Sequence, residues 1–281
     1  MFRDLTFSIP ADKVTAIVAM CKQLLGQRNV RVKELARVVG KLQAVRLATG
    51  PIVAIMTRSL YVTVDRAASW GSRVKLDPLS RGELEWWVGN LHTVDRFPIS
   101  NSHSTTVFDY SVASDASGVG HYVYSVGPGL CTLASRAFSR EEQGESSTWR
   151  ELKAFHETWT KSEVLEQYRD SVVCHFTDSQ AMASIVTKGS RNVRLHPMVV
   201  DVSLALRKYG IKVEAVWKSR EDGLIQWADG GSRDFHDDDI SLDFVTMQGV
   251  YEKYGDFDVD CFSSSSNSKG RQFYSRSVSR A

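Results

Sequence analysis

With 281 residues, 42% of them hydrophobic and 24% charged, the chain is long enough for one large domain or two ordinary ones and has a globular composition. No run of about 18 apolar residues is present, so neither a membrane span nor a membrane partner is expected, and no basic stretch followed by an apolar segment marks a secretory signal. The net charge of +2 divides unevenly: residues 1–100 hold 15 Lys+Arg against 8 Asp+Glu, and residues 101–281 hold 20 against 25, giving +7 and −5.

A basic front and an acidic back suit a division in which one part attracts an anionic polymer and the other holds cations, chance surface charge being the alternative. Cys21, Cys131, Cys174 and Cys261 are widely scattered and show no zinc-ligand spacing. They read as free thiols in a reducing intracellular compartment, cytoplasm or nucleus.

Residues 10–100 read mainly as helices. Pro10 and Asp12 open one that runs through Val14, Ile17, Val18 and Leu25 and stops at Gly26. A second starts near Val32, with Leu35, Val38, Val39, Leu42 and Val45 at helical spacing, and ends at Gly50-Pro51. Helical segments are expected at Ile52–Val64 and at Ser80–Leu91, where Ser80 and Glu83 fit a capping box. Three strand-like runs follow between Thr105 and Ser139, divided by glycines at 118–120 and 127–129. Next come a helix from about Thr148 to Ser162, a strand at Ser171–Thr177, helices at Ser179–Lys188 and Pro197–Tyr209, a strand at Ile211–Lys218 and a helix including Leu224–Asp229. The order β-β-β-α-β-α-α-β-α predicts an α/β fold with a mixed sheet and helices against it. After Gly231 the chain turns polar; His236–Asp239 and Ser263–Ser266 with Asn267 read as loop or tail.

Two apolar runs stop on an acid: Val112-Ala113-Ser114-Asp115 and Cys174-His175-Phe176-Thr177-Asp178. An unpaired carboxylate at the end of a buried strand is costly to desolvate and needs a reason. Helix capping would serve for Asp178, but poorly for Asp115, which a glycine turn follows. Glu151 has the spacing of a capping-box partner to Thr148, yet also stands beside Leu152 and four residues before Phe155, near the apolar face of its helix. Asp229, in Trp227-Ala228-Asp229-Gly230-Gly231, would alone be an ordinary residue near a helix end. Together, hard oxygen donors at strand and helix ends suit Mg²⁺, and two ions about 3.5–4 Å apart can clamp the attacking water and leaving oxygen of a phosphodiester.

On these stretches (Ser-Asp-Ala-Ser at 114–117, Ser-Ser-Thr-Trp-Arg-Glu-Leu at 146–152, Phe-Thr-Asp-Ser-Gln at 176–180 and Trp-Ala-Asp-Gly-Gly-Ser-Arg at 227–233), residues 105–235 resemble the RNase H domains of retroelement reverse transcriptases. The resemblance is closest to DIRS-type, tyrosine-recombinase retrotransposons, and Asp258-Val-Asp-Cys-Phe-Ser followed by Asn267 resembles what those polyproteins carry just downstream. It implies an RNase H-like mixed five-stranded sheet flanked by helices and preceded by a mainly helical module. It places the four catalytic, metal-binding acids on Asp115, Glu151, Asp178 and Asp229, with two Mg²⁺ ions and Mn²⁺ as a substitute. Asp115 and Asp178 are then expected to end neighbouring parallel strands, with Glu151 and Asp229 arriving from helices on one side. Residues 5–100 resemble the thumb or connection region between polymerase palm and RNase H, on Val32-Lys33-Glu34-Leu35-Ala36-Arg37, Gly40-Lys41-Leu42 and Glu83-Leu84-Glu85-Trp86-Trp87. The expected division is therefore 1–100 thumb or connection, 101–236 RNase H-like, and 237–281 polar tail or start of a downstream region. Nothing resembles the paired-Asp turn of a polymerase, so no polymerase activity is expected, and the palm and fingers would come from a longer polyprotein.

The implied activity is endonucleolytic hydrolysis of the RNA strand of an RNA–DNA hybrid. The alternative is a weakly active or inactive nucleic-acid-binding remnant; an integrase- or resolvase-like substrate is a third reading, disfavoured by the fourth acid. Many RNase H enzymes place a histidine between the last strand and last helix, where this chain has Lys218-Ser219-Arg220-Glu221-Asp222. Ser117, Ser179, Gln180 and Asn192 are candidates for reading the minor groove of a hybrid, with turn chemistry as their other explanation. Lys33, Arg37 and Lys41, at i, i+4 and i+8, would align as a stripe able to follow phosphates, or simply as a solvated face. Trp86, Trp87, Trp149 and Trp159 sit at helical spacing and read as core rather than as base-stacking platforms.

Overall fold

The computed structural model describes residues 6–94, 96–98, 107–127, 131–233, 244–261 and 272–274. The chain divides into two units, one of residues 1–106 with 184–203 and one of residues 107–183 with 204–281.

In the first unit the elements are β1 (Thr6–Ser8), α1 (Ala11–Leu25), β2 (Val30–Arg31), α2 (Val32–Ala44), α3 (Arg46–Thr49), α4 (Ile52–Ile55), α5 (Arg58–Asp65), β3 (Arg73–Val74), α6 (Pro78–Asn90) and β4 (Arg96–Pro98). Leu35, Val38 and Leu42 of α2 are buried, as their spacing requires, against a core that includes Leu60, Leu84 and Trp87. The helix expected over Ile52–Val64 is broken at Met56-Thr57 into α4 and α5. The Thr57 hydroxyl donates back to the Val53 carbonyl at 2.6 Å and so does not cap α5. Glu83 does that work from α6: its carboxylate accepts the Ser59 and Leu60 N–H groups at 2.8 and 3.0 Å. It also meets His196 Nε2 at 2.9 Å.

The Ser80–Glu83 capping box is thereby corrected. Helix α6 starts earlier, at Pro78, and Asp77 caps it by accepting the Ser80 N–H at 2.7 Å. Proline is pre-shaped for the first helical position, which moves the start upstream and frees Glu83 for the neighbouring helix.

The second unit begins with β5 (Tyr110–Ala116), β6 (Gly120–Val126) and β7 (Thr132–Ala137). Then come α7 (Arg140–Gln143), α8 (Ser147–Trp159), α9 (Ser162–Gln167) and β8 (Val172–Thr177). Helices α10 (Gln180–Lys188) and α11 (His196–Lys208), whose residues 184–188 and 196–203 are grouped with the first unit, precede β9 (Lys212–Trp217) and α12 (Gly223–Arg233) in the chain. The sheet order is β7-β6-β5-β8-β9; β5–β6 and β6–β7 are antiparallel, while β5–β8 and β8–β9 are parallel. This is the mixed five-stranded sheet flanked by helices that was expected. The described residues of the tail form α13 (Phe244–Tyr254) and a parallel ladder of β10 (Val259–Cys261) and β11 (Gln272–Tyr274). The loops read at His236–Asp239 and Ser263–Ser266 lie outside the described residues.

Because successive strand residues face opposite sides of the sheet, β5 has two different covers. Ala113 joins Tyr122, Tyr124 and Ala228 in a core that Leu224 and Trp227 of α12 close. Ser114, next along, faces the His175 ring, which packs against Phe155 and Trp159 of α8. Burying side chains as large as Phe155 and Trp159 stabilises this layer by about 1.5–3 kcal/mol each. On the other face, α12 comes so close that a Cβ on Gly231 would sit 2.5 Å from the Tyr122 ring. The glycine after Asp229-Gly230 is a condition of that approach. Trp87 and Trp159 are fully buried, while Trp86 and Trp149 are half-buried.

Candidate metal centre

Parallel pairing of β5 with β8 brings their C-terminal ends side by side, and each end carries an acid: Asp115 inside β5 and Asp178 just beyond β8. Helix α8 delivers Glu151 to the same place. One carboxylate oxygen from each of Asp115, Glu151 and Asp178 lies within 4.8 Å of the others.

The capping explanation of Glu151 does not hold. Ser146 caps α8 by accepting the Trp149 N–H at 3.2 Å, two residues before the cap that the Thr148–Glu151 pair implied. Glu151 instead reaches the sheet, where Oε1 accepts the Ala116 N–H at 3.3 Å. Its residue is 5% exposed, and among the described residues Oε2 has no hydrogen-bond partner. Burial, then the charges of Asp115 and Asp178, push its carboxyl well above the ordinary range.

Asp115, also 5% exposed, is pushed up to about 6 from the usual 3.8. Burial is the main cause; the Ser232 hydrogen bond opposes it, Asp178 and Asp229 add to it, and Arg233 opposes it. The Ser232 hydroxyl lies 2.7 Å from Asp115 Oδ2 and 2.9 Å from the Asp229 carbonyl, within reach of both. Asp178 is held from β9 and the loop after it. Its carbonyl accepts the Trp217 indole N–H at 3.0 Å, and its Oδ2 accepts Arg220 Nε–H at 2.6 Å.

Asp229 is not gathered with the other three. It stands at the rim on α12, half exposed, in a two-point pair with Arg233 at 2.6 and 2.8 Å. The expectation that Glu151 and Asp229 arrive from one side of the sheet is overturned: α8 covers the Ser114 face and α12 the Ala113 face, so the two acids converge around the strand end from opposite sides.

The mount beneath the acids is rigid. His175 Nδ1 accepts the Trp159 indole N–H at 3.1 Å, and an indole can only donate, so Nε2 carries the proton and donates to Ser114 Oγ at 2.8 Å. Full burial holds this imidazole neutral, pushed down to about 3. The chain Trp159–His175–Ser114 ties α8, β8 and β5 together one residue below Asp115.

The nucleic-acid candidates divide by position. Ser117 is buried: its hydroxyl lies 2.6 Å from the Ser232 carbonyl and accepts the Val119 and Gly120 N–H groups, tying the β5–β6 turn to α12. Ser179 Oγ accepts the Met182 N–H at the start of α10, and Gln180 beside it is exposed. Asn192 is exposed, accepts the Arg194 N–H, and belongs to the segment grouped with the first unit. Lys33, Arg37 and Lys41 form an exposed stripe on α2. Sequence reasoning missed Ser232, Arg233 and Arg220 as partners of the acids; the only available signals were the i+3 and i+4 spacing from Asp229 and the basic residue in the expected histidine loop.

No family model and no curated protein matches the chain. Among solved structures it is similar to the foamy viral protease-reverse transcriptase in complex with RNA/DNA hybrid, at 15% identity over 77% of this chain and 28% of that one, with a TM-score of 0.31. The same viral enzyme in complex with dsDNA aligns at 15% identity over 77% of this chain and 43% of that one, with a TM-score of 0.31. RNase H1 from the halophilic archaeon Halobacterium salinarum NRC-1 aligns at 14% identity over 43% of this chain and 92% of that one, with a TM-score of 0.34. The chain thus spans well under two thirds of the viral enzymes' length, and the strand order and the gathered acids remain the basis for a functional reading. Among the described residues no helix is long and apolar enough to cross a membrane.

Proposed function

We propose that this chain is a divalent-metal-dependent hydrolase of the RNase H type, cutting the RNA strand of RNA–DNA hybrids, from a retroelement reverse transcriptase of DIRS-type affinity. The observation that carries this reading is the gathering of Asp115, Glu151 and Asp178 within 4.8 Å, with a buried and unpartnered oxygen on Glu151. A buried polar atom without a partner is costly, and carboxylates gathered this closely repel one another. Bound cations would relieve both costs. All three donors are hard oxygens, which fits Mg²⁺, with Mn²⁺ as a substitute, and Asp229 at the rim is the fourth ligand on this reading.

Such ions supply Lewis-acid polarisation of a phosphoryl oxygen and a nucleophilic water at neutral pH. The chain's own residues do the positioning. Asp115 and Asp178 are fixed by strand ends, Glu151 by the first turns of α8, and the Ser232 hydroxyl orients Asp115. Residues 101–236 would carry the hydrolase. Residues 1–100, with the Lys33, Arg37 and Lys41 stripe, would grip the hybrid backbone, and Ser179, Gln180 and Asn192 would contact sugars or phosphates. Ser117 would shape the site by fixing its turn.

One observation favours a second reading, a nucleic-acid-binding remnant without hydrolysis: Asp229 is turned to Arg233 rather than to the other acids. Incubating the chain with labelled RNA–DNA hybrid, duplex DNA and duplex RNA, in Mg²⁺ and in EDTA, separates the two. Cleavage confined to the hybrid's RNA strand and dependent on Mg²⁺ supports the hydrolase. Hybrid binding without cleavage in Mg²⁺ or Mn²⁺ supports the remnant.

A further inference from the structure

The loop between β9 and α12, where the resemblance leads one to look for a histidine, instead sends an arginine to the acids. Arg220 Nε donates to Asp178 Oδ2 at 2.6 Å. The two partners are buried very differently: the Arg220 side chain is 88% exposed and the Asp178 side chain 5% exposed. The guanidinium therefore reaches in from solvent and gives up almost no hydration. A pair of that kind is weak and readily exchanged.

The loop's backbone is far better fixed than the arginine. The Lys218 N–H donates to the Thr177 carbonyl at 2.8 Å, and the Trp217 indole N–H to the Asp178 carbonyl at 3.0 Å. Lys218 Nζ is 3.0 Å from Asp222 Oδ2, and the Asp222 N–H closes the turn on the Ser219 carbonyl at 3.0 Å. Arg220 can leave Asp178 by rotating its own side chain while the loop stays in place. Arg233 differs: it holds Asp229 by two nitrogens one turn along the same helix, in a two-point pair with an acid outside the group of three.

We propose that Arg220 is an exchangeable counter-ion of the acidic cluster: it occupies Asp178 Oδ2 in competition with a divalent cation, and when displaced it turns to the phosphate backbone of bound nucleic acid. This rests on the metal-centre reading above. It makes ion loading and substrate grip successive uses of one charge. A cation arriving at Asp178 frees a guanidinium beside the cleft where a polyanion must lie, and guanidinium is well suited to phosphate.

The test uses the full chain with Arg220→Gln, which keeps a polar N–H donor at the position of Nε and removes the charge, and Arg220→Ala, which removes the side chain beyond Cβ. Mg²⁺ binding is measured by calorimetry without nucleic acid, and a thermal melt in EDTA verifies folding, which so exposed a side chain should leave intact. Both variants should bind Mg²⁺ about two- to fivefold more tightly than the parent, the range expected from removing one competing ion pair whose cation is exposed. Binding to duplex DNA, which the proposed activity leaves uncut, is then measured against salt. In Mg²⁺ the parent's salt slope should exceed that of Arg220→Gln by roughly the share of one neutralised phosphate, and in EDTA the slopes should coincide. Equal or weaker Mg²⁺ binding by both variants overturns the competition, and equal slopes in Mg²⁺ overturn the release to phosphate. Either result leaves the metal-centre reading standing, provided the parent binds Mg²⁺ and Asp178→Asn does not. A parent that binds no Mg²⁺ overturns both.

Discussion

Replacing Asp115 by Asn should make the metal-free protein more stable at neutral pH. The Asp115 carboxyl is pushed up to about 6 from the usual 3.8, so between those values the folded chain holds a proton that the unfolded chain has released. Stability therefore falls as pH rises through that window and stays reduced above it, the reverse of a salt-bridged acid. At about 1.36 kcal/mol per unit, the gap of 2.2 (6 less 3.8) amounts to about 3 kcal/mol at pH 7. An Asn side chain keeps an oxygen for the Ser232 hydroxyl now 2.7 Å away but loses the charge-assisted part of that bond, worth roughly 1 kcal/mol. The net expectation is a gain of about 1–3 kcal/mol at pH 7.5, shrinking toward zero or slightly below near pH 4. Urea unfolding of parent and variant in EDTA, at both pH values, reads this directly. A variant less stable than the parent at pH 7.5, or a difference independent of pH, would refute the account of a self-repelling buried cluster.

Two further outcomes follow from other parts of the molecule. Changing Lys33, Arg37 and Lys41 together to Gln should weaken hybrid binding and reduce the slope of log affinity against log salt by up to roughly 0.9 for each phosphate no longer neutralised, measured by fluorescence anisotropy; an unchanged slope would leave the stripe as a solvated face. Gly231→Ala should destabilise the chain by about 1–3 kcal/mol despite the better helix propensity of alanine, because its Cβ would meet the Tyr122 ring at 2.5 Å. A neutral or stabilising result in thermal unfolding would show that α12 can draw back from β6.

What the sequence made legible was whatever depends on near neighbours. Apolar runs stopping on Asp115 and Asp178 marked both strand ends, and the element order led to the mixed sheet. Helical spacing at Leu35, Val38 and Leu42 found the buried face of α2. Capping was less legible, since the Ser-x-x-Glu spacing occurs at 80–83 where Asp77 and Pro78 already start the helix, and Glu83 serves α5 across 24 residues of sequence. The Met56-Thr57 break was hidden because apolar periodicity runs through it. Which face of the sheet a helix covers depends on the path of its connections, not on its own pattern, so the approach of α8 and α12 from opposite sides could not be read. Ser232, Arg220 and Arg233 matter through their bonds to the acids; Arg220 reaches Asp178 across 42 residues of sequence.

Single-turnover cleavage of an RNA–DNA hybrid by the parent and by Asp178→Asn, each in Mg²⁺ and in EDTA, tests the central claim most directly. Asp178→Asn keeps the side chain's shape and its place beside Trp217 while removing a charge from the group that gathers with Asp115 and Glu151. The parent should cleave the RNA strand in Mg²⁺ alone, and the variant should fall by about two or more orders of magnitude while its hybrid affinity in EDTA stays nearly unchanged. Cleavage by Asp178→Asn at the parent's rate in Mg²⁺ would contradict that claim.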